Sequence, residues 1–167
     1  LESGAGNCFL IEEPMAAAIG ADLPVEHPGG VLVCDIGGGT TEIAVISLGG
    51  IVLNRSLKVA GYKMDKALVN FLRLKYSLLI GETTAEEIKV NIGSALPLEK
   101  ERLMVVRGRS LETGLPLSVK VSSEEVREAI TPALNQITSQ ISEVIEESPP
   151  ELMNDFLERG ITLCGGV

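Results

Sequence analysis

An aspartate closing an aliphatic run, three glycines and two threonines stand together in Asp35-Ile36-Gly37-Gly38-Gly39-Thr40-Thr41-Glu42. This combination points to phosphate chemistry. Consecutive glycines let a turn take positive φ and present successive backbone N–H groups to one point, an anion nest. Thr40 and Thr41 add hydroxyl donors, and Asp35 would face the phosphates with a cation between them, for which hydrated Mg²⁺ is the natural intermediary. Two other phosphate motifs fail here. A Walker A loop ends in Gly-Lys-Ser/Thr, and this segment has no Lys. A dinucleotide fingerprint needs glycine where Glu42 stands and a helix after it, whereas β-branched residues follow in strand pattern. The segment reads as a phosphate hairpin between two strands. The plainer alternative is a tight turn that uses glycine for geometry alone.

Carboxylates and a lysine elsewhere have the types and spacing to take part. Glu13 precedes Pro14 and is expected to be extended, at or near a helix N-cap, where the dipole keeps it ionised. Glu12 beside it would point away. Glu86 and Lys89 stand at i and i+3 on one helical face, the spacing of a solvated ion pair or of two groups offered to one ligand. Asp65 is placed to cap a helix. Arg102, Arg107 and Arg109 read as a solvated strand face. The single His27, in a Pro/Gly turn, rules out any His-cluster metal site. Cys8, Cys34 and Cys164 share no close spacing and each adjoins an apolar run, which suggests buried, reduced thiols and a cytoplasmic setting.

Composition narrows the partners. The chain has 167 residues, enough for one substantial domain or two small lobes. With 14 Lys and Arg against 23 Asp and Glu, the formal charge is −9, which argues against gripping nucleic acid or an anionic membrane surface. Aromatic residues make up only 3%, so base-stacking platforms are nearly excluded and the core must be aliphatic.

The elements that would position these groups follow from periodicity and punctuation. Residues 8–11 form a short apolar strand candidate, and Pro14 to Gly20 a helix. Residues 31–34, 41–48 and 51–59 are three strands joined by glycine turns. Residues 63–80 carry a helical apolar stripe. A second helix over about 84–95 opens on overlapping capping boxes in Thr83-Thr84-Ala85-Glu86-Glu87. Two strands, 102–109 and 117–121, flank Gly114-Leu115-Pro116. Ser122-Ser123-Glu124-Glu125 launches a long helix that Pro132 should kink or split. A short helix from Pro149-Pro150 and a strand over 161–164 end the series. The polar opening without Met and the closing Gly165-Gly166-Val167 suggest a piece of a longer protein.

Ile11-Glu12-Glu13-Pro14-Met15-Ala16-Ala17-Ala18-Ile19-Gly20, followed by the hairpin at 35–42, resembles the actin-like ATPase superfamily. Residues 42–50, Thr84-Ala85-Glu86-Glu87-Ile88-Lys89, Arg107-Gly108-Arg109, Thr113-Gly114-Leu115-Pro116 and Pro149-Pro150-Glu151-Leu152 narrow the resemblance to its rod-shape-determining bacterial actins, the MreB/Mbl family. The match runs through essentially the whole chain. It implies an α/β, ribonuclease H-like second lobe: a mixed sheet flanked by helices, with residues 1–61 and 122–167 as inner subdomain and 62–121 as a small α+β outer one. The first lobe and its phosphate loop would precede residue 1, and the end of that lobe would follow residue 167.

By this resemblance Glu13 orients the attacking water, and Asp35 holds Mg²⁺ through water. Gly37, Gly38, Gly39, Thr40 and Thr41 bind phosphate; Glu86, Glu87, Ile88 and Lys89 line ribose and base; Gly165, Gly166 and Val167 form a truncated adenosine loop. Two positions depart from the family pattern: Val167 where glycine is expected, and Tyr62 where an acidic residue is common. The whole protein would be a slow ATPase, with ATP or GTP preference left open, that assembles into filaments. It would organise cell-wall synthesis alongside membrane-linked morphogenesis proteins, touching membrane only through the first lobe, while the chain alone would be inactive. A non-polymerising relative such as a chaperone ATPase, or a protein-binding module, is the competing expectation.

Overall fold

The computed structural model describes residues 4–167; the first three residues of the polar opening lie outside the described residues. Elements run α1 (Glu13–Gly20), β1 (Val31–Ile36), β2 (Thr41–Ser47), β3 (Gly50–Leu57), α2 (Gly61–Tyr76), β4 (Leu78–Leu79), α3 (Glu82–Ile92), β5 (Leu103–Ser110), β6 (Pro116–Ser122) and α4 (Ser123–Glu147). A 3₁₀ turn (Pro150–Leu152), α5 (Met153–Arg159) and β7 (Ile161–Gly165) complete them. One sheet has the order β3-β2-β1-β7 and a second β4-β5-β6. The chain divides into two compact units. The first is formed by the chain as far as Asp35 with Glu42–Ser56 and Ile141–Gly165, the second by Ile36–Thr41, Leu57–Gln140 and Gly166–Val167.

In the first unit, β1 over 31–34 and β2 over 43–46 are buried on both faces because their residues there are apolar at successive rather than alternate positions. Successive side chains point to opposite faces, so Val31, Val33, Ala44 and Ile46 share one face, and on it they meet Met15 and Ala18 of α1. β3 alternates exposed and half-buried positions, as a strand with one wet face does. Residues 8–11 do not form the expected strand. Phe9 is 88% and Leu10 99% exposed, and the four-stranded sheet is completed without them. An apolar run becomes a strand only where its backbone finds a ladder. Cys8 is accordingly exposed, not buried as expected.

In the second unit, Met64, Leu68 and Leu72 of α2 and Ala85, Ile88 and Ile92 of α3 supply the buried stripes, and the two helices pack on each other. The helical stripe predicted to run to residue 80 stops at Tyr76, where Ser77 turns left-handed at φ 49 and the chain enters β4. β5 and β6 pair antiparallel, Leu103 opposite Ser122 and Arg109 opposite Pro116. α3 has no side-chain cap at Gly81, so the capping boxes predicted at 83–87 are not used. The box at Ser122 is used: Ser122 N–H donates to Glu125 Oε2 at 2.8 Å, and Glu125 N–H donates back to Ser122 Oγ at 3.3 Å. Pro132 does not split α4, which runs unbroken through it.

Glu125 also joins α4 to the end of α2, accepting a hydrogen bond from the Tyr76 hydroxyl and lying 2.8 Å from Lys75 Nζ. Burial alone would raise its carboxyl, but the bonds from Lys75, Tyr76 and the Ser122 N–H outweigh burial and hold it down at about 2. A carboxyl lowered by folding stabilises the fold above its unfolded pKa and loses that contribution as pH falls through the folded one. Acid denaturation should therefore show a loss of stability between about pH 4.5 and 2 that Glu125→Gln flattens, measured by urea unfolding at stepped pH.

Candidate functional site

In the second unit the site is built on the four residues between β1 and β2. Gly37 N–H donates to Thr40 O at 2.9 Å and closes the turn. The first turn of α2 then docks on it: Gly61 N–H donates to Gly37 O at 3.1 Å and Tyr62 N–H to Gly38 O at 2.8 Å. A helix begins with four N–H groups that have no intrahelical partner, and Ala60 offers no side-chain cap, so the hairpin carbonyls take that role. Among the described residues every peptide bond is trans, and in a trans peptide the C=O and the following N–H point in opposite directions. With both carbonyls turned to α2, the N–H groups of Gly38 and Gly39 point away from it. Neither has a backbone acceptor among the described residues. Two adjacent free donors facing away from the helix are the makings of an anion site.

The nest is not built as the sequence suggested. None of Gly37, Gly38 and Gly39 lies in the left-handed region. The second of them lies under the tip of Tyr62: a β-carbon on Gly38 would lie 2.9 Å from Tyr62 Cζ and 3.1 Å from its hydroxyl oxygen. Thr40 is exposed beside the turn, but Thr41 is completely buried, and its hydroxyl donates to Val59 O at 2.7 Å. Thr41 thus ties the hairpin to the segment leading into α2 and offers no hydroxyl to a ligand.

Lys89 reaches this assembly from α3. Its Nζ lies 2.8 Å from Asp65 Oδ1 and 3.4 Å from Gly61 O, with side chains only 10% and 6% exposed for Lys89 and Asp65. The pair is held by charge, since no aligned hydrogen bond reaches Asp65 Oδ1. Asp65 is therefore the buried partner of Lys89 and not a helix cap, and the Glu86–Lys89 pair that the i, i+3 spacing suggested is not formed. Glu86 is exposed and lines a cavity of about 170 Å³ with Tyr62, Asp65, Glu82 and Thr83. Glu87 is exposed, while Ile88 is fully buried and presents no side chain to solvent. Val167 packs against the same assembly: a β-carbon on Gly61 would lie 2.9 Å from its Cγ2. Gly166 has open space around it. Arg107 and Arg109 lie exposed on β5, and Arg102 donates to Asn91 O at 3.2 Å. A larger depression of about 760 Å³, lined by residues 91, 92 and 100–104, includes none of the residues around the hairpin.

In the first unit, α1 starts at Glu13, so the extended residue is Glu12 at φ −66, ψ 140, one position earlier than expected. Asp35 stands near the end of β1 and Gly165 ends β7. The Cys164 thiol is raised first by burial and then by the negative charges of Asp35 and Glu13, which brings both carboxylates within electrostatic reach of one sulfur. Burial, Cys164 and Asp35 push Cys34 up to about 11, and Cys164 Sγ donates to Cys34 O at 3.7 Å. Both thiols are protonated at neutral pH and serve as packing atoms. Among the described residues no group of three or more His, Cys, Asp or Glu is assembled to hold a metal ion unaided. A cation beside Asp35 would take most of its ligands from water and phosphate, as Mg²⁺ commonly does.

The fold that carries this hairpin is that of the actin-like ATPases, as comparison with solved structures shows. The structure superposes on MreB5 of Spiroplasma citri bound to AMPPNP with a TM-score of 0.94 at 45% identity, covering 99% of this chain and 50% of that one. The MamK double helical filament matches in fold, with a TM-score of 0.74 at 24% identity, covering 93% of this chain and 46% of that one. The family model for the MreB/Mbl protein matches residues 1–167, and the chain belongs to the MreB/Mbl family. It is 51% identical over 164 residues to the cell shape-determining protein MreB of Escherichia coli K12, covering 98% of this chain and 47% of the relative. It is 44% identical over 165 residues to Mbl of Bacillus subtilis 168, covering 99% of this chain and 50% of the relative. The chain thus spans about half the length of the relatives it matches.

Removing one partner of a buried ion pair leaves an uncompensated charge, whereas replacing both with apolar groups does not. Asp65→Ala should therefore cost about 3 kcal/mol of unfolding free energy. Asp65→Leu combined with Lys89→Met should recover most of it. Urea denaturation of the three proteins measures both.

Proposed function

We propose that this chain is the second, nucleotide-binding lobe of a filament-forming bacterial actin homologue that determines cell shape through ATP-dependent polymerisation and organised cell-wall synthesis. The observation that carries this is the pair of outward N–H groups at Gly38 and Gly39, fixed by the docking of α2 on the hairpin carbonyls. Family membership supports it, as do the solved MreB5 structures bound to AMPPNP and to ADP.

In this reading the Gly38 and Gly39 N–H groups and Thr40 hold phosphate oxygens, with Gly37 shaping the turn. Glu86, with Glu87 beside it, takes the sugar end in the small cavity, while Lys89 and Ile88 hold α3 in place beneath it. Gly165, Gly166 and Val167 would line the nucleoside. Asp35 would hold Mg²⁺ through its water shell, and the ion would offset the charge of the phosphates. Glu13, at the first turn of α1, orients the attacking water by accepting its hydrogen bond. Phosphoryl transfer of this kind is mostly positioning and electrostatics, which suits one positioned carboxylate and a pair of backbone donors. The whole protein would act in the cytoplasm, self-associate, and work with cell-wall synthesis and membrane-linked morphogenesis proteins. Residues 62–121 would be its small outer subdomain.

Removing a positioned carboxylate base typically costs 10²–10⁴-fold, so Glu13→Ala in the full-length protein should slow phosphate release by about 100-fold or more while ADP affinity is kept. Release at the wild-type rate would remove Glu13 from the mechanism. Wild-type protein that sediments no differently with and without ATP would remove nucleotide-dependent polymerisation.

A further inference from the structure

Tyr62 is in contact with both ends of the candidate site. Its backbone N–H donates to Gly38 O at 2.8 Å, and its ring lies so close over Gly38 that the three atoms nearest a β-carbon there would all be its own. The same side chain is one wall of the cavity formed with Asp65, Glu82, Thr83 and Glu86. At about 170 Å³ that cavity is smaller than the ~300–1,000 Å³ of pockets that enclose a whole ligand, and it suits a sugar-sized portion of one. Its chemistry suits a vicinal diol. Asp65 is engaged by Lys89, which leaves the Glu82 and Glu86 carboxylates as acceptors and the Thr83 hydroxyl as donor or acceptor.

Resting on the nucleotide reading above, we propose that Tyr62 is a positioning residue that couples occupancy of the sugar cavity to the phosphate-binding hairpin. The aromatic ring carries this: Cζ and Cε2, which phenylalanine keeps, would lie 2.9 and 3.2 Å from a β-carbon on Gly38, with the hydroxyl oxygen adding a contact at 3.1 Å, and the same ring bounds the cavity. Tyr62 is 64% exposed, so part of its side chain is open to a ligand while its Cζ end lies at Gly38. A ligand with its diol in the cavity and its phosphates at the Gly38 and Gly39 N–H groups is spanned by this one side chain. Filling the cavity holds the ring against Gly38, and the Gly38 carbonyl stays turned to α2. An aspartate or alanine at 62 keeps the backbone bond but loses the ring contact.

The test is calorimetric binding of adenosine and of ADP with Mg²⁺ to the full-length protein and its variants, each checked for folding by circular dichroism. Coupling of this kind between contacting groups is about 10-fold in affinity. Tyr62→Ala is expected to weaken ADP by about that factor and adenosine far less, while Tyr62→Phe keeps the wild-type ratio of the two. Gly38→Ala is expected to weaken ADP, because its β-carbon meets the ring. Gly38→Ala with Tyr62→Ala should bind ADP no worse than Tyr62→Ala alone. An equal loss for both ligands in Tyr62→Ala, a Tyr62→Phe variant as weak as Tyr62→Ala, or strict additivity of the Gly38 and Tyr62 changes overturns the coupling. A wild-type protein that binds neither ligand overturns the nucleotide reading itself, and this proposal with it.

Discussion

The site depends on two backbone hydrogen bonds, from Gly61 and Tyr62 at the start of α2 to the carbonyls of Gly37 and Gly38. Each resolves two problems at once. The helix start has orphan donors and no side-chain cap, and the turn has carbonyls with no strand partner. Joining them satisfies both, and peptide planarity then dictates where the opposite N–H groups point. The outward pair of donors is in this sense a by-product of how a helix begins. It also explains why the segment between β3 and α2 is held so closely. Thr41 donates to Val59 O, and Val167 and Lys89 come so near Gly61 that a β-carbon there would lie 2.9 Å from Val167 Cγ2 and 3.2 Å from Lys89 Nζ.

Charge secures the rest of the arrangement. Lys89 of α3 is drawn to Asp65 of α2 and to the Gly61 carbonyl, so the helix carrying Glu86 is pinned to the helix that caps the hairpin. A buried pair of this kind is a poor source of net stability, because desolvation offsets most of the attraction. Its value lies in register: the two helices cannot slide without separating opposite charges in a poorly solvated place. Glu125 plays a similar part at the far end of α2, where it joins Lys75, Tyr76 and the first turn of α4.

Much of the fold is legible in the order of residues. β1, β2 and the stripes of α2 and α4 follow from aliphatic periodicity, and the Ser122–Glu125 capping box from its residue types. The failures have physical reasons. The run at 8–11 is apolar enough for a strand but finds no ladder among the described residues, and no local pattern reports a missing partner. The Thr83 and Thr84 boxes lost to an earlier start at Glu82. Pro132 sits in a helix held along its apolar side by Ile130, Ala133 and Ile137, whose burial outweighs one lost hydrogen bond.

By itself, the amino-acid sequence determined that a glycine hairpin follows an acidic strand end, that a helix presents Glu86 and Lys89 on one face, and that the family is MreB/Mbl. Residue type and spacing carry that information, because turns, caps and periodicities are local. Only the tertiary structure decided which groups are free to act. It turned Lys89 away from Glu86 to Asp65, buried the Thr41 hydroxyl against Val59, and laid the Tyr62 ring over Gly38. Those outcomes depend on which distant carbonyl, carboxylate or ring comes within about 3 Å, and spacing along the chain carries no record of that.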